Sequence, residues 1–138
     1  MPELTITRGL PGSGKTTWAR EQDALRVNRD AIRAMLRKTW PHGNRAMEAI
    51  CTRVQLRTIE VLLLDGHDVI SDDTNLDPEW VLELRGLAAD CRAGFAVHDL
   101  TGVDVEVCVD RQAERTEAEQ VPESVIRGMH AAWLETRA

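Results

Sequence analysis

Residues Gly9 to Thr16 read GLPGSGKT: a glycine, four residues, Gly-Lys and then a hydroxyl residue. This is the phosphate-loop pattern. Gly12 and Gly14 give the backbone turns closed to side chains with a Cβ. The amides of Gly12, Ser13, Gly14, Lys15, Thr16 and Thr17 can then converge on one anion at a helix N-terminus, where the helix dipole favours negative charge. Lys15 supplies a mobile cation for the β- and γ-phosphates of a nucleotide, and Thr16 a hydroxyl for Mg²⁺. The loop specifies a donor and leaves the acceptor open.

Three further groups could complete a phosphoryl-transfer site. Asp30, Arg33 and Arg37 fall at i, i+3 and i+7, on one helix face. They are either a surface ion pair or a working pair. In the second case the carboxylate takes the proton of an attacking hydroxyl while the arginine holds an acceptor phosphate. Arg111 and Arg115 share a face at i and i+4, next to a polar stretch, Thr116 to Gln120. They are either solvated or part of a lid that closes over a triphosphate. Asp72-Asp73-Thr74-Asn75 either cap a turn, serve a metal or orient the arginines.

The elements that must position these groups alternate. Strand patterns at Leu4–Thr7, Ala24–Asn28, Asp68–Ser71 and Phe95–Leu100 are separated by helical patterns. The helices run from Gly14 to about Gln22, Arg29 to about Lys38, Arg45 to about Leu64, Pro78 to about Arg92, Val105 to about Arg115, and onward from Pro122. Asn28, Asp77 and Asp104 are placed as N-caps, Pro78 suits a first helical position, and Asp65-Gly66 ends the longest helix. Thr39 to Asn44 is a break. In the last helix Val125, Ile126, Met129, Trp133 and Leu134 form one apolar face, with Trp133 and Leu134 either core or interface and core preferred. The alternation predicts an α/β fold with a mainly parallel four-stranded sheet flanked by helices, closed by a C-terminal lid and helix. Ligands bind beyond the carboxyl ends of strands in such sheets, where the polar groups fall.

The chain has 138 residues, 43% of them hydrophobic, which suits one domain over residues 1–138. Its longest apolar run, Val61 to Leu64, cannot span a bilayer, and the N-terminus lacks a basic start. A cytoplasmic location is expected. Cys51, Cys91 and Cys108 are too far apart for a metal cluster and are expected to be reduced thiols. The net charge of −6 and pI of about 5.2 argue against bulk electrostatic binding of nucleic acid. Against that background, Arg26 to Arg45 carries six basic residues and one acid, a net charge of +5. This stretch is either a solvated face or an entry for an anionic acceptor.

Taken together, GLPGSGKTTWARE, VNRDAIR and VISDDTNLDPE, in this order and spacing, resemble the 5′-kinase domain of the T-even bacteriophage polynucleotide kinase family. The resemblance implies a phosphate-loop kinase that transfers the γ-phosphate of ATP to a 5′-hydroxyl end of DNA or RNA in end healing. It implies Lys15, Asp30, Arg33, Asp73 and Arg115 as the catalytic set, with Asp30 as general base. It implies Arg33 and Thr74 on the acceptor phosphate, Val121-Pro122 against the terminal base, and Arg111 and Arg115 over the donor. Mg²⁺ is the implied cofactor, and a phosphatase or ligase domain an implied partner. Thr16 stands where that family has serine, Ala31 replaces an acid, Asp72 adds one before DTN, and the lid is longer and acidic at Glu117 and Glu119. The phosphatase motif of the bifunctional members does not occur in the chain, so a stand-alone kinase and a domain of a longer protein both fit. A small-molecule phosphotransferase and a nucleotide-binding regulatory module are the competing readings. A GTPase-type switch would need an NKxD base-reading motif, which this sequence does not contain.

Overall fold

A computed structural model describes residues 1–36, 44–117 and 120–135. Arg37, Lys38, the break at 39–43 and Glu119 lie outside the described residues. The elements run β1 (Glu3–Arg8), α1 (Lys15–Arg20), β2 (Leu25–Val27), α2 (Arg29–Leu36), α3 (Arg45–Leu64), β3 (Val69–Ser71), α4 (Pro78–Asp90), β4 (Gly94–Asp99), α5 (Val105–Ala113) and α6 (Glu123–Met129). A π-helical turn, His130–Leu134, extends α6.

The four strands form one parallel sheet in the order β2-β3-β1-β4. Crossover helices cover a parallel sheet on its faces, so its central strands read as apolar runs rather than as alternation. Val69, Ile70 and Ser71 of β3 are all buried, as are Leu4, Ile6 and Thr7 of β1. One core joins these strands to α2, α3 and α4 through Ile32, Met47, Cys51, Ile59, Leu63 and Leu84. A second, smaller core packs Leu10 of the phosphate loop and Leu76 against Cys108 of α5 and Ile126 of α6. It ties the C-terminal helices to the loop that they overhang.

Local chemistry sets the helix ends. Asn28 Oδ1 accepts from Ala31 N at 2.8 Å, Asp77 from Glu79 N at 2.9 Å and Asp104 from Glu106 N at 2.7 Å. Asn44 caps α3 in the same way, through Met47 N at 3.0 Å. Gly66 follows the end of α3 at a φ of 87°. The three cysteines are buried free thiols.

Helix α5 ends at Ala113 with Glu114 as C-cap, so Arg115 follows the helix directly, and it lines one cavity together with Arg111. The π-helical turn breaks the 3.6-residue period of the last helix. Its extra residue leaves Leu134 packed on the second core and Trp133 48% exposed.

Candidate active site

Strand β1 leads directly into the phosphate loop. Gly12 and Gly14 take φ values of 88° and 98°, and Gly14 is the N-cap of α1. At Gly12 a Cβ would lie 2.4 Å from the Cys108 carbonyl oxygen, so α5 packs where only glycine fits. Lys15 is buried, and its Nζ donates to the Leu10 carbonyl at 2.7 Å. Burial pulls its pKa down to about 8, although Asp72, Cys108 and Asp73 oppose the shift. Arg111 Nη1 donates to the Gly12 carbonyl at 3.3 Å, which braces the loop from α5.

The end of β3 supplies two carboxylates with different tasks. Asp72, 1% exposed, accepts from Thr16 Oγ1 at 3.0 Å and from Arg26 Nε on the same oxygen, Oδ2. Its other oxygen, Oδ1, is buried without a partner among the described residues. Asp73 turns the other way, toward α2 and α3. Its Oδ1 accepts from Arg29 N at 2.9 Å, and so caps α2 from another element. Its Oδ2 accepts from Gln55 Nε2 at 2.8 Å and from Ser71 Oγ at 3.4 Å. Burial, with Asp30 and Asp72 nearby, lifts the Asp73 pKa to about 7 against the pull of the Arg29 backbone N–H and the Arg29 charge.

Helix α2 carries Asp30 and Arg33 in the expected pairing, with Arg33 Nη1 donating to Asp30 Oδ1 at 2.7 Å. The Asp30 side chain is 83% exposed. Arg33 also holds Glu48 of α3, with Nε donating at 2.9 Å to Oε2 and Nη2 donating to Oε1. These bonds raise its pKa further. Arg29 is turned inward onto α3: Nη1 donates to Gln55 Oε1 at 3.0 Å, and Nη2 to the Glu48 carbonyl at 2.9 Å and Thr52 Oγ1 at 2.8 Å. Of the six basic residues from Arg26 to Arg45, Arg37 and Lys38 lie outside the described residues and Arg45 is exposed. Arg26, Arg29 and Arg33 are all engaged by protein acceptors.

Loop geometry links the two halves. Gly9 N donates to the Thr74 carbonyl at 3.1 Å. Asn75, at a φ of 44°, donates from Nδ2 to the Thr7 carbonyl at 2.9 Å, and its Oδ1 accepts from Trp80 Nε1 at 3.0 Å. On the lid side Gln112 Oε1 accepts from Val121 N at 2.9 Å, and Gln120 Nε2 donates to the Arg115 carbonyl at 2.8 Å.

The result is a cleft of about 590 Å³ lined by Gly12, Gly14, Lys15, Thr16, Asp30, Arg33, Asp72, Asp73, Thr74, Arg115, Val121 and Pro122. A second cavity, of about 530 Å³, lies across the loop against Ser13, Thr17, Trp18, Glu21 and Arg111. Arg115 lines both, and its guanidinium has no partner among the described residues. Trp18 is backed by His98, with ring centroids 3.7 Å apart. Among the described residues expected to act at the phosphate loop, on α2 or on the lid, Ser13, Thr17 and Arg111 lie outside the main cleft and line the second cavity. The sequence reading did not place Glu48, Thr52, Gln55 or Gln112, and it left Asp72 among several roles. The available signal for the first three was their i, i+4, i+7 spacing on α3.

A family model described as an AAA domain matches residues 4–136. Among solved structures, a chain of the Pnkp1/Rnl/Hen1 RNA repair complex aligns with a TM-score of 0.82 at 28% identity, covering 94% of this chain and 43% of that one. The chain thus spans less than half the length of that relative. Kti12 of Chaetomium thermophilum, in complex with ADP-AlF3, aligns at a TM-score of 0.70 and 22% identity, over 97% of this chain and 81% of that one. A gluconokinase from Sinorhizobium meliloti aligns at 0.63 and 22%, over 99% and 78%. At these identities the last two share the fold.

Proposed function

The chain belongs to the AAA domain family, and on that premise we propose that it transfers the γ-phosphate of ATP to the 5′-hydroxyl end of DNA or RNA. The observation that carries the proposal is the convergence of Lys15, Thr16, Asp30, Arg33, Asp73, Thr74 and Arg115 on one cleft. A phosphoryl-transfer enzyme mainly positions groups and neutralises charge, and these are the parts such a task needs.

The donor triphosphate lies on the loop amides, with Lys15 leaving the Leu10 carbonyl to take the β- and γ-phosphates. Thr16 Oγ1 and the unpartnered Asp72 Oδ1 are hard oxygen donors, which fits them to hold Mg²⁺. When bound, Mg²⁺ supplies charge neutralisation at the phosphates. Asp30 accepts the proton of the attacking 5′-hydroxyl. Arg33 uses three of its five N–H donors on Asp30 and Glu48, which leaves one on each terminal nitrogen for the acceptor phosphate. Asp73 does no chemistry in this scheme. It fixes the start of α2, and therefore Asp30, against the sheet. Arg115 reaches over from the lid, and Val121 and Pro122 wall the terminal base.

The setting of one relative in an RNA repair complex supports an end-healing role, with a phosphatase or ligase activity supplied by a partner or another domain. No helix among the described residues is long and apolar enough to cross a membrane, and an intracellular location fits the reading.

One observation favours a second reading, a small-molecule phosphotransferase. The Arg33 fork already holds the Glu48 carboxylate, so its acceptor-phosphate clamp is partly filled. Incubation with γ-labelled ATP, Mg²⁺ and a 5′-hydroxyl oligonucleotide separates the two. Label on the oligonucleotide is expected, and Asp30→Ala should abolish transfer while ATP binding stays near wild type. Label moving only to a nucleoside or polyol would overturn the proposal, and an active Asp30→Ala would remove its base.

A further inference from the structure

A neighbouring cavity of about 300 Å³ opens onto the loop after β3, α4 and the C-terminal turn, and none of the roles above uses it. It shares Arg29, Asp73, Thr74 and Met129 with the main cleft, so the two are contiguous. Two indoles line it, Trp80 and Trp133. Trp80 is fixed through its bond to Asn75, which is itself buried and bonded to β1. Trp133 is 48% exposed on the π-helical turn, although the last helix has an apolar stripe that would have taken it inward. Single π-helical turns are rare and are frequently found at functional sites. Here the turn gives the inward place to Leu134 and sets the Trp133 indole on the cavity.

We propose that this cavity is a subsite for the second nucleobase of a single-stranded acceptor, stacked on Trp133 with Trp80 as the rigid opposing wall. The inference rests on the acceptor reading given above. A terminal nucleotide with its hydroxyl at Asp30 and its base at Val121 occupies the main cleft. The strand then continues past Thr74 and Met129, the residues the two cavities share. An indole face accepts any base, so the subsite reads strand length rather than sequence. It also accounts for recognition of a terminus by an acidic chain whose Arg26, Arg29 and Arg33 are turned to protein acceptors. The second nucleotide is held by stacking instead of by phosphate contacts.

The test compares a nucleoside 3′-monophosphate with a 5′-hydroxyl trinucleotide as acceptors for wild type, Trp133→Ala and Trp133→Phe. Trp133→Ala should raise KM for the trinucleotide about 5- to 150-fold, the range of one lost base–aromatic stack. Its kcat and its KM for ATP and for the mononucleotide should stay at the wild-type values. Trp133→Phe should keep most of the trinucleotide affinity, and both variants should melt as the wild type does. A trinucleotide with 2-aminopurine at its second position should be quenched by wild type and much less by Trp133→Ala. If Trp133→Ala affects both acceptors equally, or neither, the subsite is overturned while the acceptor reading stands. If wild type phosphorylates neither acceptor, the acceptor reading falls and the subsite with it.

Discussion

Gln55→Leu asks how the acceptor side of the site is held in place. Gln55 is fully buried on α3, and its carboxamide bridges Asp73 Oδ2 at 2.8 Å and Arg29 Nη1 at 3.0 Å. Leucine fills similar space and removes both bonds. Hydrogen bonds to charged groups contribute about 1.5–3 kcal/mol each. The Arg29 end is cushioned, because its guanidinium keeps the Glu48 carbonyl and Thr52 and its side chain is 19% exposed. The Asp73 end is not, since Oδ2 then keeps only Ser71 Oγ at 3.4 Å. The expected loss is about 2–4 kcal/mol, a large share of the ~5–15 kcal/mol that stabilises a domain. Urea denaturation at pH 8 would show it as a lower midpoint with an unchanged slope. Asp73 also caps α2, so the variant should raise the acceptor KM while nucleotide affinity holds. Gln55→Glu separates bonding from burial: the new carboxylate still accepts from Arg29 but opposes Asp73. Asp73 already has its folded pKa raised to about 7, so its contribution to stability is greatest below its unfolded value and is lost as pH rises through about 7. Gln55→Glu should steepen that loss. A Gln55→Leu protein within ~0.5 kcal/mol of wild type, with an unchanged acceptor KM, would refute the bridge as a positioning device.

Gly12→Ala should destabilise the chain by about 1–3 kcal/mol and weaken nucleotide binding, because it combines a φ of 88° with a 2.4 Å approach to the Cys108 carbonyl. Thermal unfolding with and without ATP reads both effects. Asp72→Asn keeps the shape but removes the charge beside Thr16, so nucleotide binding should lose at least tenfold of its Mg²⁺ enhancement and little of its affinity in EDTA, as a Mg²⁺ titration would show. Lys15, lowered to about 8 in the free protein, is charged below that pH and neutral above it. A bound triphosphate restores its proton, so ATP affinity should fall by up to tenfold per pH unit above about 8, with proton uptake seen by calorimetry in two buffers. Lys15→Met should abolish that dependence.

The sequence foretold most where the signals are local. The bounds of α3, the caps Asn28, Asp77 and Asp104, and the phosphate loop follow from side chains acting within a few residues of themselves. Pairing across elements was not readable in the same way. Glu48, Thr52 and Gln55 received no role, since nothing in a helical period says that a polar stripe meets a neighbouring helix. Arg26 belonged to a basic run that suggested a surface, yet it turns inward to Asp72. Ser71 is polar at the end of the β3 pattern, yet a strand in the interior of a parallel sheet buries it completely. Trp133 falls on the apolar face of a regular helix, with core preferred over an interface, and the π-helical turn moved it onto a cavity.

Asp72 and Asp73 are neighbours in the chain, yet one faces Thr16 and the other Arg29 and Gln55. The reach from the Thr16 side of the cleft to the α2 side is therefore set by one peptide unit, a fixed step of about 3.8 Å. This makes the end of β3 a ruler. Side chains elsewhere around the cleft can drift in evolution to suit a new acceptor, but a residue inserted or deleted between Ser71 and Thr74 would unhook one half of the site from the other. Length, rather than identity, is the property this segment cannot give up.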